Sequence, residues 1–155
     1  MPYFYRMPTL TRRRDRRSRH QKTWQIYYGD VRVGTIGERA GVPIEADPWG
    51  WNLGFYPGTE PPHPDGTAAT FELARAAFGE CWQQTLPTLT EAQFEAWRHD
   101  RDSHAWKHAM WDAHLKLPTQ MPDGRARCFC GAEITIAGVD AHIRATHRGP
   151  HEQIR

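Results

Sequence analysis

Two cysteines and two histidines near the C-terminal end of the chain have the types and spacing of a metal site. One residue separates Cys128 from Cys130, eleven separate Cys130 from His142, and four separate His142 from His147. Two thiolates and two imidazoles are a ligand set that suits tetrahedral zinc. Gly131 follows the second cysteine and tolerates the positive φ of a tight metal-binding turn. The pattern predicts that Cys128, Cys130, His142 and His147 bind one Zn2+ ion.

Through this pattern, a segment of about residues 126–148 resembles the C2H2 zinc-finger family. The match departs from the family by one residue fewer between the cysteines and by a linker of eleven rather than twelve residues before the first histidine. It implies a ββα finger in which Ile134 and Val139 form a small core. So few apolar residues could scarcely hold a fold without metal, and bound zinc would supply on the order of 10 kcal/mol of folding free energy.

In fingers that read DNA, side chains near the start of the helix contact base edges. The resemblance places small or short side chains at those positions: Thr135, Ala137, Gly138 and Ala141. None of them offers the bidentate fork or amide that distinguishes a base pair in the major groove. We therefore expect no sequence readout by this finger, although Arg144 and Arg148 could contact phosphates.

Arginine is concentrated at the other end of the chain. Residues 1–22 have a net charge of +7, residues 23–118 of −6 and residues 119–155 of +1. Because residues 1–22 show no apolar periodicity, we predict a disordered basic arm that can bind DNA or RNA phosphates in a salt-sensitive way. The alternatives are a solvated tail and a tail paired with the acidic residues of 23–118. The candidate contacts are Arg12, Arg13, Arg14, Arg16, Arg17 and Arg19.

Three β-prone segments follow the arm, at residues 24–28, 31–36 and 49–55. The first two flank Gly29-Asp30, which has the composition of a type II′ hairpin turn. The three segments predict an antiparallel meander of three strands. In the third, Trp49, Trp51, Leu53 and Phe55 alternate at period two, which predicts one buried face.

The aromatic residues of these strands also have an alternative interpretation as a stacking platform for single-stranded bases. Three strands followed by a helix look like some small DNA-binding folds, such as AP2-type domains, which lay a sheet in the major groove; this is a likeness of fold only. Basic residues on the strands are few, so we favour core packing for these rings.

Two helices follow a loop at residues 57–66 that is rich in proline and glycine. Apolar residues at helical spacing over 71–82 predict the first helix, with Thr70 as its N-cap. Thr90 and Gln93 form a capping-box pattern at the start of a second helix, which is expected to run from residue 91 to about 117.

These elements predict an α+β protein in three parts: a disordered arm at 1–22, a β-β-β-α-α domain at 23–118 and a zinc-finger tail at 119–155. No run of eighteen apolar residues occurs, so we expect no membrane association. Thiolates that bind zinc must stay reduced, which favours a cytoplasmic location.

The second helix offers a weaker metal-site hypothesis. His104 and His108 lie four residues apart, with Asp100 and Asp112 four residues further out on either side. The alternative, which we favour, is ordinary charge pairing on a helix surface. We interpret Cys81 as a small core residue. The full set of histidines in this segment is His99, His104, His108 and His114.

The chain as a whole looks like a small bacterial protein, and the residues favour a non-enzymatic function. We predict a zinc protein in which the zinc-bound finger has a structural role and stabilises the fold. The arginine-rich arm is predicted to bind nucleic acid, mainly through phosphates. The alternative is an adaptor whose finger and acidic body bind a protein partner. A third hypothesis is a metal-dependent enzyme that uses the histidines of the second helix.

Overall fold

The computed structural model describes residues 9–19, 21–56, 59 and 62–149 of the 155-residue chain. The chain forms two compact units, Met1–Phe94 and Glu95–Arg155, which we call the sheet unit and the metal unit. The division lies earlier in the chain than the expected boundary between residues 118 and 119. The fold class is α+β, as predicted.

The sheet unit contains a five-stranded antiparallel sheet whose strands lie in chain order. The strands are β1 (Leu10–Arg14), β2 (Thr23–Tyr28), β3 (Val31–Glu38), β4 (Trp49–Leu53) and β5 (Asp65–Ala68). The predicted meander is present as β2, β3 and β4, but one further strand flanks it on each side. Of the two loop residues between β2 and β3, only Gly29 has a positive φ, of 60°, as in the predicted type II′ turn.

β1 corrects the prediction that residues 1–22 are disordered. Its residues pair with β2 from Leu10 opposite Tyr28 to Arg14 opposite Trp24. A strand without apolar periodicity forms here because the edge of β2 supplies the backbone hydrogen bonds and its aromatic rings lie under arginine side chains. Residues 1–8 and 20 of the predicted arm lie outside the described residues.

β5 corrects the prediction that the loop extends to residue 66. Asp65 and Gly66 belong to this strand, and Gly66 lies opposite Trp51 of β4. A Cβ atom at Gly66 would lie 2.7 Å from Nε1 of Trp51, so only glycine fits beneath the ring. Four residues with no alternation of apolar side chains give little sequence signal for a strand. Residues 57–58 and 60–61 of the predicted loop lie outside the described part of the chain.

Helix α1 (Phe71–Thr85) packs against one face of the sheet. Its predicted N-cap is confirmed, because the Thr70 hydroxyl accepts a hydrogen bond from a backbone N–H of the first turn at 3.2 Å. Phe78 of this helix meets Trp51 edge to face, with 6.2 Å between ring centroids. Gly34 of β3 allows α1 to pack closely against the sheet, since a Cβ at this position would lie 2.6 Å from the Phe78 ring.

The core of the sheet unit lies between this helix and the sheet. Phe94 closes one end by stacking on Phe55, with 5.4 Å between ring centroids. The buried apolar residues of the unit are Ile26, Val31, Val33, Ile36, Leu53, Phe55, Ala68, Ala74, Phe78, Trp82 and Phe94.

Helix α2 (Glu91–Asp112) starts at the predicted capping box. The Thr90 N–H donates to the Gln93 side chain at 2.8 Å, and the Gln93 N–H donates to the Thr90 hydroxyl at 3.4 Å. No helix among the described residues is both long and apolar enough to cross a membrane.

The same helix ends earlier than the predicted position near Leu117. His114 adopts a left-handed conformation with φ 57°. The N–H of His114 bonds to the Trp111 carbonyl, and the N–H of Leu115 bonds to the Met110 carbonyl, both at 3.0 Å. This pair of bonds is the Schellman motif, which usually has glycine at the left-handed position. Because the left-handed residue is a histidine and not a glycine, the sequence carries no clear signal for the end of α2 at this point.

Candidate metal centre and basic strand

The C-terminal part of the metal unit is a short hairpin followed by a helix. Its elements are β6 (Arg125–Arg127), β7 (Glu133–Thr135) and α3 (Val139–Thr146). Between the strands, the Cys128 N–H donates to the Ala132 carbonyl and the Gly131 N–H donates to the Cys128 carbonyl, each at 2.8 Å. Gly131 has φ 96°, as the predicted tight turn requires. This turn presents both cysteine side chains.

Helix α3 presents the two histidines. The Thr135 hydroxyl accepts a hydrogen bond from the Gly138 N–H at 3.1 Å and so fixes the start of the helix. His142 lies within the helix, and His147 follows its last residue, with its N–H bonded to the Ile143 carbonyl at 2.8 Å. The two imidazoles therefore project from one end of the helix toward the cysteine turn.

The four side chains converge on one point. The Cys128 Sγ and His147 Nε2 atoms are 3.4 Å apart, and the Cys130 Sγ and His142 Nε2 atoms are 3.5 Å apart. The two Nε2 atoms are separated by 3.2 Å. Zinc with Zn–S bonds of about 2.3 Å and Zn–N bonds of about 2.0 Å separates sulfur from nitrogen by about 3.5 Å and two nitrogens by about 3.3 Å in a tetrahedron. These three of the six separations match the corresponding edges.

The arrangement can hold one metal ion. All four ligand atoms lie within 4.8 Å of one another. Four protein ligands complete a tetrahedral shell, which is the arrangement of structural zinc sites rather than catalytic ones. Among the described residues, no other group of three or more potential ligands comes together.

Helix α2 forms part of the core around this site, which the sequence did not indicate. Trp106 and Met110, one helical turn apart, are buried together with Cys128, Ile134 and Ile143. The sequence assigned Ile134 and Val139 to a small finger core; Ile134 is buried and Val139 is partly buried. The available signal was the apolar pair Trp106 and Met110, one helical turn apart in the second half of α2.

Trp106 also contacts a metal ligand directly. Its indole Nε1–H donates a hydrogen bond to Cys128 Sγ at 3.3 Å. Trp106 is 3% exposed and Cys128 is 1% exposed, so this bond is shielded from water. Partners of this kind fix the orientation and the electronic character of metal ligands.

An ion-pair network joins α2 to the residue that follows His147. The Glu95 carboxylate accepts hydrogen bonds from Arg98 at 2.6 Å and from Arg148 at 2.9 Å. The Arg98 hydrogen bond, with a smaller contribution from Arg148, holds the pKa of Glu95 below its usual value. Arg148, predicted as a phosphate contact, is therefore engaged within the unit.

The buried carboxylate of Asp102 binds the backbone of Gly149, the residue after Arg148. Asp102 is 2% exposed, and its Oδ1 accepts hydrogen bonds from the Gly149 N–H and from Arg101 Nε, both at 3.0 Å. A Cβ at Gly149 would lie 2.7 Å from the Arg101 guanidinium, so a larger residue here would require this side chain to move. The chain that follows His147 is thus held to α2 by Glu95 and Asp102, which lie far away in sequence.

The histidines of α2 do not form a second site. His99 Nε2 lies 3.2 Å from an Asp140 carboxylate oxygen of α3, and so connects the two helices. His104 and His108 are exposed, with the Asp100 carboxylate 3.9 Å from the His104 ring. His114 lies beyond the end of the helix.

The arginines of β1 are exposed and stack on aromatic rings of the sheet unit. The Arg12 guanidinium lies 4.6 Å from the Trp24 ring centroid, and that of Arg13 lies 4.2 Å from the Tyr27 centroid. Alternation along the strand places Arg13 on one face of the sheet and its neighbours on the other. Arg14 also approaches Trp24, at 5.6 Å. Charge is therefore presented on both sides of this edge.

Asp15, the acidic residue among the arginines, stabilises the turn that follows β1. The Asp15 carboxylate accepts hydrogen bonds from the Arg17 N–H and from Gln25 Nε2, both at 3.0 Å. The backbone hydrogen bond from Arg17 is the main reason that the pKa of Asp15 is lowered. Arg16 and Arg19, like the β1 arginines, are exposed. We call Arg12, Arg13, Arg14, Arg16, Arg17 and Arg19 the basic strip.

The positions that the resemblance marks for base contacts lie mostly ahead of α3, since Thr135 ends β7 and only Ala141 belongs to the helix. Thr135, Ala137 and Ala141 are exposed and Gly138 is partly buried, so the positions that the resemblance marks for base contacts carry only small side chains. Arg144 is exposed on α3.

No family model, no curated protein and no solved structure matches the chain. The assignment of the metal centre therefore depends on the ligand geometry and on the hairpin and helix that produce it. Both follow from residues that the sequence pattern had singled out.

Proposed function

We propose that the Cys2His2 cluster binds one structural zinc ion and that the protein is a non-enzymatic, nucleic-acid-associated protein. The observation that carries the zinc assignment is the agreement between the three ligand-atom separations and the edges of a zinc tetrahedron. A complete protein shell leaves no position for a substrate, which supports a structural rather than a catalytic metal. Reduced thiolates support a cytoplasmic location.

The basic strip supports the nucleic-acid part of the proposal. Its arginines are exposed, and the acidic residue within it, Asp15, is held by the turn. Exposed guanidinium groups along one strand can neutralise phosphates and release their counterions. Because three of these groups already rest on aromatic rings, less side-chain freedom is lost when they bind.

The metal unit supports a secondary role in binding. Arg144 could add a phosphate contact, whereas Arg148 would first have to leave Glu95. Small side chains at the start of α3 support binding without base readout. The proposed ligand is therefore a DNA or RNA backbone of any sequence.

A protein partner is the second candidate function. Trp111 and Ile136 in the metal unit are 78% and 56% exposed, and Phe129 on the cysteine turn is also exposed. Such side chains would mark a contact surface if they formed one contiguous patch. An adaptor would use these residues and leave the basic strip unoccupied.

Fluorescence anisotropy with labelled duplex DNA, single-stranded DNA and RNA tests the proposal. The triple variant Arg12→Gln, Arg13→Gln, Arg14→Gln removes the β1 charges from the full zinc-loaded chain. We expect weaker binding to all three ligands and a salt dependence of log K that is less steep by about 0.9 for each lost duplex phosphate contact.

The matched control removes the same charge elsewhere, at Arg39, Lys107 and Lys116, which are all exposed. If both triple variants bind equally, only net charge matters and the strip has no special role. Absence of binding by the unmodified chain at low salt would refute the nucleic-acid proposal and favour the adaptor.

A further inference from the structure

The two cysteines of the metal centre have different surroundings. Cys128 is 1% exposed and packs in the core with Met110 and Ile143. Its sulfur also accepts the Trp106 indole hydrogen bond at 3.3 Å. Cys130, two residues further on, is exposed, and its sulfur lies 3.5 Å from Nε2 of His142.

This difference should control how each sulfur reacts. A thiolate is the reactive form of cysteine, and it remains nucleophilic when it is exposed and electron-rich. A hydrogen bond to the sulfur withdraws electron density, and burial prevents an electrophile from approaching along the line of attack. Both effects act on Cys128, whereas Cys130 is an exposed residue that a reagent in solution can reach.

We propose that Cys130 is the modification site of the metal centre, where soft carbon electrophiles attack, and that Trp106 protects Cys128. The inference depends on the proposed zinc site. With a maleimide, Cys130 Sγ adds to one alkene carbon, a new C–S bond forms, and the other alkene carbon takes a proton from water. The product is a neutral thioether, a poor zinc ligand, so modification at this one atom opens the site.

Trp106 is a positioning residue in this proposal, because it acts through the sulfur that it contacts. Trp111 on the same helix provides the matched control, since it is 78% exposed. Cys81, partly buried on α1, is a thiol outside the centre and gives an internal reference for reagent access.

The experiment treats the full zinc-loaded chain with limiting N-ethylmaleimide. Peptide mass spectrometry locates the single adducts, and a chromogenic chelator follows zinc release in the same samples. In the unmodified chain we expect the adduct at Cys130 to form at least about ten times faster than the adduct at Cys128, and to appear together with zinc release. In chelator-treated protein the preference should shrink.

Trp106→Phe keeps an apolar ring but removes the N–H donor. We expect the initial rate of Cys128 modification to rise several-fold in this variant and to stay unchanged in Trp111→Phe. In cobalt-substituted protein, the sulfur-to-metal charge-transfer band should move to lower energy in Trp106→Phe only, because the thiolate loses a hydrogen bond. A purely structural role of Trp106 would not shift this band.

Equal initial rates at the two cysteines of the unmodified chain would overturn the proposal without the use of any variant. Identical behaviour of Trp106→Phe and Trp111→Phe would overturn the role of Trp106. If the chain binds no zinc at the outset, the proposed metal site itself fails, and the metal content measured before reaction separates that result from the others.

Discussion

The sheet unit and the metal unit close their cores by different means. Eleven buried apolar residues fill the space between α1 and the sheet, and several are aromatic rings in edge or stacked contact. The metal unit has a cluster of five, and one of these is Cys128 of the Cys2His2 group that could hold a metal ion. Polar links to Glu95 and Asp102 supply further connections in that unit. We therefore expect the stability of the sheet unit to depend mainly on buried apolar surface. We expect the stability of the metal unit to depend mainly on the proposed metal ion and on these polar contacts.

This comparison indicates where each unit is vulnerable. Burial of a large apolar side chain contributes about 1.5–3 kcal/mol, so a core of many residues tolerates the loss of one contact. If the proposed zinc site is correct, the small core of the metal unit depends on one ion, which would contribute on the order of 10 kcal/mol.

Removal of the metal should produce the largest difference between the units. In Cys130→Ser, or after chelation, we expect the loss of about one zinc per chain and of hydrogen-exchange protection in β7 and α3. Protection in β3 and β4 should persist, because no proposed metal ligand lies in the sheet unit. Cys81→Ser is the control and should retain both zinc and protection. A Cys130→Ser chain that keeps stoichiometric zinc would contradict the ligand assignment.

Truncation of a core side chain in the sheet unit should have a smaller effect. This effect should fall on the stability of the sheet unit and not on the metal unit. Phe78 is 1% exposed and lies against Gly34 and Trp51. Phe78→Ala should lower the unfolding free energy of the sheet unit by about 3–5 kcal/mol through the lost contacts and the cavity. Urea unfolding combined with metal analysis checks this, and zinc content is expected to stay at one per chain. Loss of zinc in this variant would show that the two units are not independent.

The smallest expected effect concerns the turn that follows β1. The pKa of Asp15 is lowered in the folded chain from an ordinary value of 3.8. Its carboxylate therefore stabilises the fold above that pH, and this stabilisation disappears as the pH falls through the lower folded value. Asp15→Asn should cost about 1 kcal/mol at neutral pH.

The measurement is the urea midpoint of the sheet unit for both chains, from neutral pH into acid. The two curves should converge once the pH falls below the folded pKa of Asp15. A difference that stays constant down to the most acidic pH would show that the ionised carboxylate is not the cause.

The sequence identified the Cys2His2 cluster that could hold a metal ion because the chemistry of these residues is local. The four ligands lie within twenty residues, and glycine at 131 marks the turn. The role of Trp106 could not be read in the same way, because its partner is 22 residues away and a tryptophan on a helix is equally compatible with any apolar neighbour. Long-range packing of this kind leaves no pattern in the local sequence.

The sheet shows the same limit for backbone pairing. β2 to β4 carry apolar alternation or a turn signal, and the sequence identified them. β1 is a run of three arginines after Leu10 and Thr11, and its composition favours disorder when read alone. What makes it a strand is the open edge of β2 and the rings of Trp24 and Tyr27, which are properties of its neighbour. The error came from treating charge as evidence against order.

The arginines of β1 have a consequence for how copies of this chain behave toward one another. In the described part of the chain, β1 pairs on one side only, with β2. An unpaired strand edge is a template onto which a second chain can add a strand, and natural sheets guard such edges with charge. Arg12, Arg13 and Arg14 place three positive charges on that edge, so an approaching identical edge is repelled. A polyanion that neutralised them would also remove that repulsion, so that association of copies through β1 becomes more favourable.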